Sequence, residues 1–257
     1  MARGGRAMNV LTKAGRVLSQ LGESSDLTAR ELSIRLREPR PTVHRLLQEL
    51  AVLGFVERGP RRGTYRLGLE LFRLGSLAAL RIDVRDAAKA VMEEIHQALE
   101  ETVYLVIRRQ HEAVCIDRIE GLHIRSMYLQ LGGSLPLHLG AGPRAVLAFL
   151  SHAYWDEYFA TVEVTTLTPQ SPTTKAEVLE LLGDTLRTGY AVSDGDVTVG
   201  MGSVGAPIFD STGQVAAAIS VGGLTALILE DPRRDHVIEL VTGGARRISE
   251  AMGYRPS

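Results

Sequence analysis

Between residues 9 and 53, three short amphipathic stretches follow one another with breaks of only a few residues, which restricts this part of the chain to a compact three-helix unit. Residues 9–21, NVLTKAGRVLSQL, set Val10, Leu11, Ala14, Val17, Leu18 and Leu21 at helical spacing, and Gly22 is expected to stop the helix. In LTARELSIRL, Thr28 and Glu31 stand at capping-box spacing, and Ala29, Leu32, Ile34 and Leu36 supply the apolar positions of a short second helix. After a break at Arg37–Pro39 a third helix is expected to begin at Pro41, whose missing N–H would have no helical partner in a first turn. Its apolar positions, Val43, Leu46, Leu47, Leu50 and Leu53, are expected to face inward.

Three short helices with a tight turn before the last form the pattern of a helix-turn-helix, whose recognition helix presents its N-terminal turn to the major groove. Arg40, Pro41, Thr42, His44 and Arg45 cluster at that end, where free helix N–H groups also favour phosphate. Beyond Gly54, FVERGPRRGTYRL reads as strand, turn and strand, with Pro60 and Gly63 bracketing Arg61 and Arg62 at the tip of a wing. Charge divides in the same place. The chain's formal net charge of −1 resolves into 13 Lys+Arg against 6 Asp+Glu over residues 1–66, a net of +7, and 16 against 24 beyond, a net of −8. Any one arginine reads equally well as a solvated surface charge; their joint placement points to a polyanion, double-stranded DNA, as the module's partner.

The remainder alternates helices and strands. Residues 68–82, GLELFRLGSLAALRI, carry Leu69, Phe72, Leu77 and Leu80 and read as a linker helix that packs on its own domain or pairs with its twin. A helix follows from about Val84 to Leu99, with Ala87, Val91, Ile95 and Leu99 on one face. Strand candidates lie at 102–109, 113–119 and 124–131. LPLHLGAGPRAVLAFL then enters a helix after a turn at Gly140–Gly142, and a capped helix runs from about Thr174 to Arg187 and ends at Gly189. Two strands near 203–209 and 214–221 flank the turn DSTG, and a helix over about 231–252 completes an α+β sensor domain. The expected organisation is a DNA-binding module over 1–67, a linker helix over 68–82 and a sensor domain over 83–257.

Several motifs point elsewhere and fail on context. Gly200, Gly202 and Gly205 spell G-x-G-x-x-G but precede a strand, so they lack the helix N-terminus that binds a dinucleotide. Gly140, Gly142 and Ala145 spell the related G-x-G-x-x-A and open a helix, yet the helical stretch HAYWDEYFA follows where a strand is required. The 7 histidines show no i, i+4 pair and no cysteine partner at metal spacing. No G-x-S-x-G elbow exists, and Ser203, Ser220, His138 and Asp194 stand in no order that argues for a triad. The expectation is therefore no enzyme, no catalytic residue, no metal and no cofactor. The single cysteine, Cys115, lies in a strand and reads as a small buried residue rather than a nucleophile. No apolar run approaches the ~20 residues that cross a bilayer, and the first twenty residues lack the core of a secretory signal, so a cytoplasmic protein is expected.

LTARELSIRL followed by PRPTVHRLLQELAVLGFVERGPRRGTYRLGLELFRLG, with its T-V-H-R-L-L and closing Y-R-L-G, resembles the winged helix-turn-helix of the IclR family of bacterial transcriptional regulators. The resemblance continues through G-S-L-P-L-H, G-A-G-P-R-A-V-L-A-F-L, G-Y-A-V-S-D-G-D, G-A-P-I-F-D and A-A-I-S-V-G-G, which match the family's GAF-like effector-binding domain, and it covers nearly the whole chain. It implies a sequence-specific regulator, paired through the linker helix into a homodimer and through the sensor domains into a homotetramer, acting on a palindromic operator under a small organic-acid effector. Carried across from the family, Ser193 or Asp194, Ser203, Ser220 and Gly222 fall at ligand-facing positions. The N–H groups of Ala141 and Gly142, at the positive end of the next helix, are placed to meet the acid's carboxylate. Gly222 stands where the family can carry a hydroxyl residue and Ser193 where it can carry an acidic one, which suits a larger, aromatic acid. Arg40 and Pro41 stand where small polar or lysine residues are common, a departure that bears on base preference. The competing reading is an enzyme or metal-binding sensor with an accessory DNA-binding module.

Overall fold

The computed structural model describes residues 10–24, 26–79, 83–122 and 129–255. The chain divides into two compact units, Met1–Ile82 and Asp83–Ser257. In the first, the order is α1 (Val10–Glu23), β1 (Leu27–Thr28), α2 (Ala29–Leu36), α3 (Arg40–Val52), β2 (Val56–Arg58), β3 (Thr64–Leu67) and α4 (Leu69–Ala79). Val17, Leu21, Leu32, Leu36, Val43, Leu46, Leu47 and Leu50 interlock with Val56 and Tyr65 of the hairpin in one core. The strands form an antiparallel sheet in the order β1-β3-β2.

Local chemistry fixes the entry and exit of α2. The Thr28 hydroxyl accepts the Glu31 N–H at 3.2 Å, and the Glu31 carboxylate accepts the Thr28 N–H at 2.7 Å. The backbone bond from Thr28, followed by the bond from its hydroxyl, holds the Glu31 carboxyl below the usual carboxylate range. At the other end Arg37 adopts a left-handed conformation, φ 54°, and its N–H closes on the Ile34 carbonyl at 3.2 Å.

Three details depart from the periodic reading. Helix α1 passes through Gly22 to Glu23. Ile34 is 67% exposed because it lies between Leu32 and Leu36 in sequence and so turns to the opposite face of α2. Leu53 is 57% exposed because α3 has ended and the chain turns at Gly54, φ 72°. Strand β1, only two residues long, carries no periodic signal. On α4, Leu69, Phe72 and Leu77 are exposed as an apolar surface; Leu80 lies outside the described residues.

The second unit runs α5 (Asp83–Leu99), β4 (Thr102–Arg109), β5 (Glu112–Ile119), β6 (Ser134–Pro136), α6 (Ala141–Ala148), α7 (His152–Thr161), α8 (Lys175–Thr188), β7 (Ala191–Asp194), β8 (Met201–Phe209), β9 (Val215–Leu224), α9 (Thr225–Ile228) and α10 (Arg233–Ala251). Among the described residues its sheet has six strands, β6-β5-β4-β9-β8-β7, with every neighbouring pair antiparallel. This is an α+β architecture: α5 and α10 pack together and on the sheet, and α6 packs against β4, β8 and β9 and against α8. The strand candidate at 124–131 falls mainly on residues outside those described, and Leu129 to Leu131 are not strand. Helix α5 buries Ala88 and Met92 with Val84, Val91, Ile95 and Leu99, leaving Ala87 half-buried. Cys115 is buried and its thiol donates to the Asp117 carbonyl at 3.3 Å; burial pushes its pKa up to about 11.

What positions the site is a run of small residues on one face of the central strands. Ser203 pairs with Gly222 and Gly205 with Ser220, so two serines and two glycines make a shallow floor across β8 and β9. The N-terminus of α6 rests on that floor. A Cβ on Gly205 would lie 2.7 Å from the Ala141 carbonyl carbon and 2.7 Å from the Gly142 nitrogen, so this glycine is required by the close approach of helix to strand. Gly205→Ala should force α6 off the sheet and destabilise the second unit by about 1–3 kcal/mol. A fall in urea midpoint without a change in slope is the expected reading; an unchanged midpoint would show that the helix does not depend on this contact.

Candidate functional site

Two regions carry functional side chains. In the first unit, α3 begins without a side-chain cap: Pro39 holds the N-cap position and Pro41 lies in the first turn. The orphan N–H groups of that turn and the positive end of the helix therefore face outward. Arg40, Pro41, His44 and Arg45 are exposed there and Thr42 is half-buried. Several other basic residues of the unit are engaged. Lys13 pairs with Glu38 at 2.7 Å, Arg66 with Glu57 at 2.7 Å, and Arg58 stacks on the Tyr65 ring at 4.4 Å. Among the described residues the guanidinium groups of Arg40, Arg45 and Arg62, like those of Arg30 and Arg37, have no hydrogen-bonding or ionic partner; the first two stand at the open end of α3 and Arg62 at the wing tip, available to phosphate or base edges. Arg61, expected at the wing tip with Arg62, bends back and donates to the Asp26 carbonyl at 2.6 Å. It braces the hairpin against the segment before β1, and Arg62 alone extends from the tip.

In the second unit a cavity of about 670 Å³ opens between the N-terminus of α6, the floor of β8 and β9, and the segment 197–202. No Asp, Glu, Lys, Arg or His lines it among the described residues; its walls are Tyr104, Leu129, Leu135, Val197, Met201 and Leu224, with backbone and hydroxyl groups at one end. That polar end has a specific geometry. Gly140, φ 81°, holds the N-cap position of α6, with no side-chain cap. The Ala141 N–H reaches the Ser203 hydroxyl oxygen at 3.4 Å. The Gly142 N–H has no acceptor among the described residues. A Cβ on Gly142 would stand 2.9 Å from the Ser220 hydroxyl oxygen, so that hydroxyl lies directly beside the helix terminus. Ser220 is 3% exposed and its backbone lies in the sheet between β4 and β8, while its hydroxyl, which lines the cavity, makes no hydrogen bond to another described residue. A cavity-lining hydroxyl, the Gly142 N–H and the dipole of an eight-residue helix thus converge on one point of an otherwise apolar space.

Of the residues singled out from sequence, Ala141, Gly142, Ser193, Ser203, Ser220 and Gly222 line this cavity. Asp194 does not. Successive strand residues point to opposite faces, so Asp194 is exposed and accepts from the Thr225 hydroxyl at 3.2 Å. Ser193 lies at the cavity wall, but its hydroxyl donates to the Asp196 carboxylate. Sequence reasoning missed Tyr104, which reaches the cavity because β4 pairs with β9 and sets Tyr104 opposite Ser220. It also missed the buried pair Arg144–Asp196 behind α6, whose members are 52 residues apart.

Behind the cavity, His138 is fully buried. The Thr165 carbonyl, 3.0 Å from Nε2, can only accept, so Nε2 carries the proton and Nδ1 accepts the Tyr158 hydroxyl at 2.7 Å. Burial disfavours the charged form of the ring, which is joined to neither Ser203 nor Ser220. Among the described residues no group of three His, Cys, Asp or Glu is placed to hold a metal ion, and no helix is long and apolar enough to cross a membrane.

A family model described as the IclR helix-turn-helix domain matches residues 10–60, and one described as Bacterial transcriptional regulator IclR C-terminal matches residues 77–250. The chain is 33% identical over 244 residues to the HTH-type transcriptional regulator KipR of Bacillus subtilis, spanning 95% of this chain and 97% of that protein. It is 32% identical over 241 residues to the HTH-type transcriptional repressor AllR of Escherichia coli, spanning 93% of this chain and 87% of that one. A crystal structure of an IclR homolog from Microbacterium hydrocarbonoxydans complexed with 4-hydroxybenzoate superposes with a TM-score of 0.80 at 25% identity, covering 95% of this chain and 99% of that chain.

Two predictions follow from this geometry. Arg45→Ala should weaken binding to all duplex sequences alike and lower the slope of log affinity against log salt by about one, as loss of a single phosphate contact does. Fluorescence anisotropy over a salt series measures it, and an unchanged slope would remove Arg45 from the interface. Burial, the largest influence on His138, depresses its pKa below the ordinary 6.5. The stability carried by the neutral ring is then fully present above pH 6.5 and is lost as pH falls through the lower folded value. Denaturant melts should show this loss on acidification, and His138→Gln, whose amide can make both hydrogen bonds, should flatten it; identical pH slopes in the two proteins would contradict the assignment.

Proposed function

We propose, from the premise that this chain belongs to the IclR family of bacterial transcriptional regulators, that a bulky organic acid, aromatic in its simplest form, is the effector bound by its C-terminal domain. The chain is a DNA-binding regulator and not an enzyme. In this reading the DNA-binding unit occupies residues 1–67, the linker helix 68–82 and the effector unit 83–257. Two copies joined through the apolar surface of α4 read inverted half-sites about one helical turn apart, in the cytoplasm where the DNA lies. Arg40, Thr42 and His44 enter the major groove, Arg45 meets phosphate at its edge, and Arg62 touches the backbone beside it.

The observation that carries the effector reading is the Ser220 hydroxyl, which lines the cavity without a protein partner among the described residues and is set against the first turn of α6 where no charged side chain lines the space. A carboxylate placed there accepts from the Gly142 N–H and from the Ser203 and Ser220 hydroxyls, and the helix dipole favours its charge. The apolar remainder, against Tyr104 and Leu135, takes a hydrocarbon or aromatic body. The volume of about 670 Å³ lies within the range of about 300–1,000 Å³ usual for small-molecule sites. That the Microbacterium homolog is complexed with 4-hydroxybenzoate supports an aromatic acid as the class of ligand.

Gly222 sets the free space beside Tyr104. A Cβ there would meet the Tyr104 ring edge at 3.4 Å and the Ser203 Cβ at 3.6 Å, ordinary contacts that the fold accommodates. Thermal melting against a panel of mono- and dicarboxylates, from acetate to hydroxybenzoates, tests the reading. A true effector at 100 times its Kd adds about 2.7 kcal/mol to the parent. Gly222→Val should abolish that shift while leaving DNA affinity in place, because its methyl groups project into the cavity. A panel in which no acid stabilises the parent, or an acid that stabilises the Gly222→Val protein equally, would refute the site.

A further inference from the structure

We infer that Arg144, which does not line the cavity, is the residue that permits it to accept an anion. This rests on the proposed carboxylate site at the α6 terminus and adds the source of its charge balance. The positive end of α6 is already occupied from behind. The Asp196 carboxylate accepts the Gly140 N–H at 3.3 Å, and the Ser193 hydroxyl donates to its other oxygen. Asp196 is 3% exposed, and it meets the helix at the residue preceding Ala141. A carboxylate held by the Gly142 N–H would therefore lie near a fixed buried anion, and two like charges in a poorly solvated space repel strongly.

Arg144 offsets that repulsion. Side chains on a helix lean toward its N-terminus, so Arg144, in the first turn, reaches back to the Asp196 carboxylate and also donates to the Val192 carbonyl. Arg144 is 2% exposed, and Asp196 is its acidic partner. The pair is close to neutral as a unit, which leaves the dipole and the orphan N–H of α6 to face the ligand. Arg144 is thus a positioning and charge-balancing residue: it fixes Asp196 as a cap on Gly140 and cancels its charge.

The test compares an acid with its neutral isostere. From the panel, the acid giving the largest shift on the parent is paired with its primary amide, and both are titrated by calorimetry into the parent, Arg144→Gln, Asp196→Asn and the double variant. Arg144→Gln should bind the acid at least tenfold more weakly while the amide changes little. Asp196→Asn should bind the acid several-fold more tightly relative to the amide. The double variant, in which Gln and Asn pair as neutral groups, should return the acid-to-amide ratio to within about threefold of the parent, and it keeps the test open should a single variant not fold. Equal losses for acid and amide in Arg144→Gln, an unchanged ratio in Asp196→Asn, or a double variant whose ratio stays as far from the parent as that of Arg144→Gln, would reduce the pair to a structural brace and overturn the inference. A panel in which no acid binds the parent would instead remove the carboxylate site itself, and this inference with it.

Discussion

The close approach of α6 to β8, made possible by the missing side chain of Gly205, fixes the rest of the sensor unit's site. With the helix backbone in contact with the strand, the Ala141 N–H falls within reach of the Ser203 hydroxyl and Gly142 falls beside Ser220. The same approach places the first turn of the helix against the segment at Asp196, so that one carboxylate meets both the Gly140 N–H and Arg144. A larger residue at position 205 would separate these groups together. The polar end of the cavity is thus a consequence of backbone packing, and its residues are small because the packing leaves no room for others.

The DNA-binding unit rests on a different kind of constraint. Its helices are short and locally encoded, each closed by neighbouring groups: a capping box at Thr28, a left-handed turn at Arg37, a proline entry to α3. The core of Leu32, Leu36, Val43, Leu46 and Leu47 locks α2 against α3 and leaves the uncapped end of α3 exposed with its arginines. Binding energy from phosphate contacts is non-directional and salt-sensitive, so the unit's specificity depends on the few residues of that first turn that reach base edges. Regulation by the proposed acid requires that it bind the DNA-competent and DNA-incompetent states with different affinity, and such coupling is reciprocal.

How much of this was legible in the sequence follows from the range of each interaction. The three helices, the hairpin and the capping box are set by residues within a few positions of one another, and the periodic pattern exposes them. The same pattern misplaced Ile34 and Leu53, since a simple apolar count does not register which face a helix turns or where it ends. Ser203, Ser220 and Gly222 reached the list through family resemblance, and the sheet register explains why they share a face: alternation sends Ser203 and Ser220 to the α6 side and Asp194 away from it. Strands β6 and β7, three and four residues long, are too short to show a period. The Arg144–Asp196 pair joins residues 52 apart, and nothing local in either stretch signals the other. Arg61 illustrates the opposite limit: its position at a turn was readable, but its bond to the Asp26 carbonyl depends on tertiary folding.

The central claim is that a carboxylate bound at the α6 terminus and DNA bound at the first turn of α3 are linked through one protein. Its most direct measurement is the calorimetric affinity of the acid for the parent protein, taken with and without the DNA that lies upstream of its own gene. The account predicts that DNA changes the acid's affinity by the same factor by which the acid changes the DNA's, commonly about 5- to 150-fold. Identical acid affinity in the two titrations, with both partners demonstrably bound, would contradict it.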